Sequence, residues 1–208
     1  VTRIKICGLT REVDVDAAVA AGVDALGFNF AMGPRRIAPE RGRVLARRVP
    51  PLVHRVGLFV DADRETVLQS MRVSGCEVVQ LHGDEPPALA EQLRAEYPVI
   101  KAWRVRDAAA LAQAATYPCD LLLLDAWVPG AAGGTGQAFD HGLLRDWECA
   151  RPVMLAGGMR PDTVAEAVRA VRPFAVDCAS GVESSPGCKD PALLRAFVQA
   201  VREEDRHG

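Results

Sequence analysis

Short apolar runs return along the chain at near-regular intervals: Arg3–Cys7, Ala25–Phe30, Arg55–Val60, Val78–His82, Val99–Arg104, Leu121–Asp125, Val153–Ala156 and Ala175–Cys178. Each is brief and mostly continuous in apolar character. Such runs suit strands covered on both faces, as in a parallel sheet, and the lack of clean two-residue alternation argues against an open antiparallel one. Between them lie segments with helical spacing: Glu12–Ala21, Pro39–Arg48, Arg64–Val73, Pro87–Tyr97, Asp107–Ala115, Gly142–Glu148, Pro161–Val171 and Pro191–Glu204. In the third, Val67, Leu68 and Met71 make an apolar stripe, with Arg64, Glu65 and Arg72 around it. Asp63, Pro86-Pro87, Pro161-Asp162 and Asp190-Pro191 stand where helix starts favour an oxygen cap or a proline. The charged tail Arg202–Arg206 reads as frayed and solvated.

Eight strand–helix alternations point to an α/β fold and to closure as a (β/α)8 TIM barrel, with residues 1–208 as a single domain. An open doubly wound sheet is the alternative that the same alternation allows. No linker, low-complexity segment or fixed-period repeat interrupts the pattern. At 208 residues, 49% of them hydrophobic, the chain has ample material for one core.

Charge narrows the classes of partner. The formal net charge is −2 and no Lys/Arg run is long enough to form a nucleic-acid face. A small anionic substrate remains open, since it needs only one or two cations and some backbone N–H groups. No apolar stretch approaches the roughly 20 residues of a membrane span. Val1-Thr2-Arg3-Ile4-Lys5 takes on strand character at once, unlike a secretory signal. The cysteines at 7, 76, 119, 149, 178 and 188 form no C-x-x-C pairs, which reads as reduced thiols in a cytoplasmic protein rather than a disulfide framework or zinc site.

Barrel enzymes draw their chemistry from the C-terminal ends of strands. Here those ends bring Cys7, Arg35, His82, Asp125, Gly157-Gly158 and Ser180-Gly181, with Asp177 inside the last run. Each has a plainer reading: a small buried thiol, a solvated charge on a loop, a capping Asp, turn glycines. Two anion-friendly glycine segments after the seventh and eighth strands favour a phosphate site, because glycine lets the main chain approach an anion closely. Gly133-Gly134-Thr135-Gly136 resembles a nucleotide loop but lacks the following Lys-Ser/Thr, and reads instead as a loop able to close over a substrate.

Together KICGLT at 5–10, GPRR at 33–36, VGLFVD at 56–61, VQLHGDE at 79–85, LLLLDA at 121–126, GGTG at 133–136, LAGGMRPDTV at 155–164 and FAVDCASGVESSPGCKD at 174–190 resemble the phosphoribosylanthranilate isomerase family of tryptophan biosynthesis. The likeness runs from the first strand to the last loop, and the ordered combination is highly specific. It implies an Amadori rearrangement of N-(5-phosphoribosyl)anthranilate to the carboxyphenylamino-deoxyribulose phosphate. An acid protonates the ribose ring oxygen, the ring opens to an iminium, and a base takes the proton from the neighbouring carbon. No metal or other cofactor is implied. The expected partner is the small phosphorylated substrate, and the family occurs as monomers, homodimers and fused domains.

By the same resemblance, Cys7 is the general base and Asp125 the general acid. A free thiol has a pKa of about 8.5, so a small thiolate fraction is present near neutrality. An ordinary Asp, with a pKa of about 3.9, needs desolvation or a nearby negative charge to act as an acid. The run Leu121–Leu124 predicts an apolar setting of that kind. Arg35 is the expected carboxylate holder, since guanidinium binds carboxylate in a fork; Arg36 is the fallback, because Gly33 stands where the family has serine before the proline. Gly157, Gly158, Ser180 and Gly181 are the expected phosphate contacts, with Ala179 replacing one family serine. Asp177 either bonds a substrate hydroxyl or orders its loop, and His82 either touches substrate or holds its own loop. His141 departs from the family's tryptophan. An epimerase on a similar barrel would want a carboxylate pair or metal-binding histidines, an aldolase a Schiff-base lysine, and a non-catalytic barrel would lose the acid or the base.

Overall fold

The computed structural model describes residues 1–126, 144, 147 and 149–207. The eight parallel strands β1 (Arg3–Cys7), β2 (Ala25–Asn29), β3 (His54–Phe59), β4 (Val78–Leu81), β5 (Val99–Val105), β6 (Leu121–Ala126), β7 (Val153–Leu155) and β8 (Ala175–Cys178) close into a barrel in sequence order. Closure is made by β1 against β8, from Arg3 opposite Ala175 to Ile6 opposite Cys178. The helices are α1 (Glu12–Ala21), α2 (Pro39–Ala46), α3 (Arg64–Ser74), α4 (Pro87–Arg94), α5 (Ala108–Thr116), α6 (Val164–Val171) and α7 (Pro191–His207). The predicted helix Gly142–Glu148 lies outside the described residues apart from Leu144 and Trp147; so do Gly133–Gly136 and Phe139-Asp140-His141. Among the described residues no helix is long and apolar enough to cross a membrane.

Alternation is present in the strands but masked, because both faces are covered. Ile4, Ile6, Leu122, Leu124 and Val176 join the layer between barrel and helices, while Val56, Ile100, Ala102, Leu123, Met154 and Ala175 form a smaller cluster inside the barrel. Successive side chains in a strand point to opposite faces. The inner face therefore runs in steps of two, such as Lys5 then Cys7 and Leu123 then Asp125.

Helix ends depart from the sequence reading for local reasons. α4 stops at Arg94 because Pro98 pushes Tyr97 out of helical backbone, and the N–H groups of Glu96 and Tyr97 both turn back to the Leu93 carbonyl. α2 ends at Ala46 ahead of Pro50-Pro51. α6 begins at Val164 rather than Pro161, after a turn in which the Arg160 N–H donates to Thr163 Oγ1. The expectation of a frayed tail is wrong. α7 runs to His207, and its charged residues are tied to Thr2, just before β1, and to Asp24, just before β2: Thr2 N–H and Oγ1–H donate to Asp205, and Arg202 donates to the Thr2 carbonyl and to the Asp24 carboxylate. A small hairpin, β9 (Glu183–Ser185) with β10 (Cys188–Lys189), also went unpredicted.

Candidate active site

At the C-terminal end of the barrel each strand, or the residue just after it, sends one side chain into a common cavity of about 540 Å³: Cys7, Asn29, Leu58, His82, Arg104, Asp125, Ala156 and Asp177, from β1 to β8 in turn. Arg35, Gly157, Gly158 and Ser180 line the same cavity. Met32, Leu58 and Val60 give it an apolar wall on the side of β2 and β3.

Cys7 is 6% exposed. Burial pushes its thiol above the ordinary range, Lys5 pulls it back part of the way, and Asp177 pushes it further up. Lys5 lies two residues earlier on the inner face, 1% exposed, with Nζ 2.8 Å from Asp177 Oδ1. Burial works against the Lys5 charge, yet Asp177 and the Cys7 sulfur more than offset it and the ammonium is held above its usual range. Room for this arrangement comes from β2, where a Cβ on Gly27 would stand 2.8 Å from Cys7 Sγ and 3.2 Å from Lys5 Nζ.

Asp125 is buried, and His82 Nε2 stands 3.4 Å from its Oδ2. The Gln80 amide stands 2.9 Å from His82 Nδ1 and orients the ring with Nε2 toward the carboxylate. The apolar setting foreseen from Leu121–Leu124 is only half present. Leu122 and Leu124 face the helices, and Leu123 alone shares the inner face with Asp125.

Arg35 points into the cavity, whereas Arg36 lies in a separate groove between α2 and α3, with Nη1 against the Met32 sulfur. Of the two, Arg35 alone lines the cavity shared with Cys7 and Asp125. Its Nε and Nη2 donate to Glu183 Oε1 and Oε2 at 2.9 and 2.6 Å. One edge of the guanidinium is thus taken by the protein, which leaves the edge bearing Nη1. Glu183 also accepts from Lys189 Nζ, and Lys189 further donates to the carbonyls of Cys7 and Ala179. Burial works against the Glu183 charge, but Arg35 and Lys189 hold its carboxyl below the usual range.

Gly157 and Gly158 both have positive φ, at 79° and 66°. Neither N–H meets an acceptor among the described residues. Gly181 does not line the cavity. It packs behind Ser180, where a Cβ would stand 1.9 Å from the Met159 carbonyl oxygen. Lys101, a conceivable Schiff-base lysine, faces the helices and donates to Glu85 Oε2 and the Gly83 carbonyl. Sequence reasoning missed Arg104, Glu183, Lys189 and the placement of Lys5.

A ring of side chains at the C-terminal rim, one per strand, is how catalytic (β/α)8 barrels are built, and this chain is an enzyme of that class. A family model described as N-(5'phosphoribosyl)anthranilate (PRA) isomerase matches residues 4–200. The chain belongs to that family. It is 47% identical over 204 residues to the N-(5'-phosphoribosyl)anthranilate isomerase of Desulforudis audaxviator, covering 97% of this chain and 98% of that one. It is similar to the crystal structure of phosphoribosyl anthranilate isomerase from Thermus thermophilus, with a TM-score of 0.89, 43% identity and coverage of 97% and 99%. A third relative was solved in complex with reduced 1-(o-carboxyphenylamino)-1-deoxyribulose 5-phosphate; its TM-score is 0.88 at 36% identity, covering 98% of this chain and all of that one.

Proposed function

We propose that this barrel isomerises N-(5'-phosphoribosyl)anthranilate to 1-(2-carboxyphenylamino)-1-deoxyribulose 5-phosphate in tryptophan biosynthesis, as a single cytoplasmic domain, with Asp125 as general acid and Cys7 as general base. The observation that carries the residue assignments is the sharing of one cavity by a buried thiol, a buried carboxyl group, a guanidinium and a pair of backbone N–H groups that meet no acceptor among the described residues. The substrate has the matching shape: a carboxylate on an aromatic ring at one end and a phosphate at the other.

The free edge of Arg35 takes the carboxylate, and the aromatic ring lies against Met32, Leu58 and Val60. The N–H groups of Gly157 and Gly158, with Ser180, hold the phosphate. The reacting carbons then span the cavity. Asp125 passes its proton to the ribose ring oxygen, the C–O bond breaks, and the nitrogen lone pair forms the iminium. The Asp125 carboxylate so left is met by the His82 Nε2–H. A Cys7 thiolate takes the proton from the adjacent carbon, and the C–H electrons close to an enolamine, which neutralises the iminium. Proton return to the first carbon and loss of the hydroxyl proton give the ketose.

Purified protein mixed with freshly made phosphoribosylanthranilate tests the reaction directly, with chromatography of the product. Cys7→Ala and Asp125→Asn are each expected to lower kcat by about 10²–10⁴-fold while product binding persists. Absence of product with the parent protein rejects the reaction; normal turnover in either variant removes that residue from the mechanism.

A further inference from the structure

A lysine inside a barrel calls for a reason. Other strands fill the interior with Val56, Ile100 and Leu123, and burying an ammonium is costly before any partner is counted. Asp177 offsets that cost, but an apolar pair of similar volume would be about as stable. Stability therefore does not account for the choice, and the position of the charge does. Lys5 Nζ and Cys7 Sγ converge over Gly27, where one added carbon would crowd both. An ammonium has three N–H groups; Asp177 takes one at 2.8 Å, and the sulfur lies on the side toward the cavity mouth.

We propose that Lys5 is a positioning residue for Cys7: its buried ammonium holds the sulfur over Gly27 and sets the pH at which the thiolate forms. This rests on the reading of Cys7 as the base. Lys189 also favours the thiolate, but the other cations facing the sulfur are held by other partners. Lys189, from β10, and Arg35, from the loop after β2, are both tied to Glu183, and Lys189 binds the carbonyl of Cys7 rather than its side chain. Asp177, from β8, is negative and opposes the thiolate, while β2 presents Gly27 and no charge. With the thiol protonated, Lys5 and Asp177 cancel. With the thiolate formed, the group carries one net negative charge beside the developing iminium, which attracts it. The ammonium thus moderates a base that burial alone would make too hard to ionise.

Lys5→Met removes the charge and keeps the length. The probe is iodoacetamide, with alkylation of Cys7 followed against pH by peptide mass spectrometry, beside kcat and KM. The expected result is an alkylation midpoint higher by about one pH unit or more, a tenfold change in thiolate fraction per unit. Turnover at neutral pH falls at least about tenfold with KM nearly unchanged, and the loss narrows as pH rises. An unchanged midpoint in folded Lys5→Met overturns the proposal. Should the lone Asp177 prevent folding, Lys5→Met/Asp177→Asn removes both charges. A midpoint above the parent's then supports the role of Lys5, and one at or below it overturns it. Alkylation needs no substrate, so a parent protein without isomerase activity would reject the proposed function and leave this readout intact.

Discussion

Replacing Glu183 by Gln tests the polar network beneath the cavity. Glu183 is almost wholly buried and accepts from Arg35 Nε and Nη2, Lys189 Nζ and the Gly187 N–H. Glutamine keeps the shape and one acceptor oxygen but leaves two cations, one of them fully buried, without their counter-charge. Removing one partner of a buried pair costs about 3–5 kcal/mol, and the retained acceptor places this case near about 3. For a domain of this size that lowers Tm by about 6–12 °C. Catalysis should change in a specific way. Arg35 loses the fork that aims its free edge, so KM should rise about tenfold, with a smaller change in kcat. The pH dependence fixes the sign. A carboxyl held below its ordinary value contributes its full stability above the unfolded pKa, about 4.3, and loses it as pH falls through the lower folded value. The gap in Tm between parent and Glu183→Gln should therefore be constant above about pH 6 and shrink below about pH 4. Thermal melts by circular dichroism across pH, with steady-state kinetics, make the comparison. A variant with parental Tm and KM at neutral pH would refute the idea that this carboxylate organises the site.

Further outcomes follow from single contacts. Arg35→Ala should raise KM strongly and Arg36→Ala hardly at all, as steady-state kinetics will show; the reverse order would move the carboxylate site into the outer groove. Gly181→Ala should lower Tm by several degrees in a thermal melt, because its Cβ would lie 1.9 Å from the Met159 carbonyl oxygen and the loops after β7 and β8 would have to part; unchanged stability would mean that those loops yield freely. Arg104→Ala should weaken substrate capture, read as a higher KM, since this cation lines the cavity; an unaltered KM would assign it to solvent.

Legibility in the sequence followed the range of the interaction. β1 and β8 match the expected spans: Thr2 and Gly8 flank the first run directly, and Pro173 and Ser180 stand one residue outside the second. Cys7 and Asp125 each close an apolar run at a strand end, but their expected roles came from the family resemblance of the surrounding motifs. What escaped was pairing between distant segments: Lys5 with Asp177 is 172 positions apart, and Arg35 with Glu183 is 148. A usable signal was nevertheless present. Lys5 stands between Ile4 and Ile6, and Lys101 between Ile100 and Ala102. A charge inside a buried strand must find a counter-charge, so each lysine announced a partner without naming it. The α7 tail was misread for the same reason, since composition makes Arg202–Arg206 look solvated while its partners sit at the other end of the chain.

The clasp between Thr2 and Asp205 lies on the face opposite the cavity. The Gly75-Cys76 turn between α3 and β4 is on that same far side. An insertion at that turn would leave the rim unaltered. The architecture thus keeps its seams away from its chemistry.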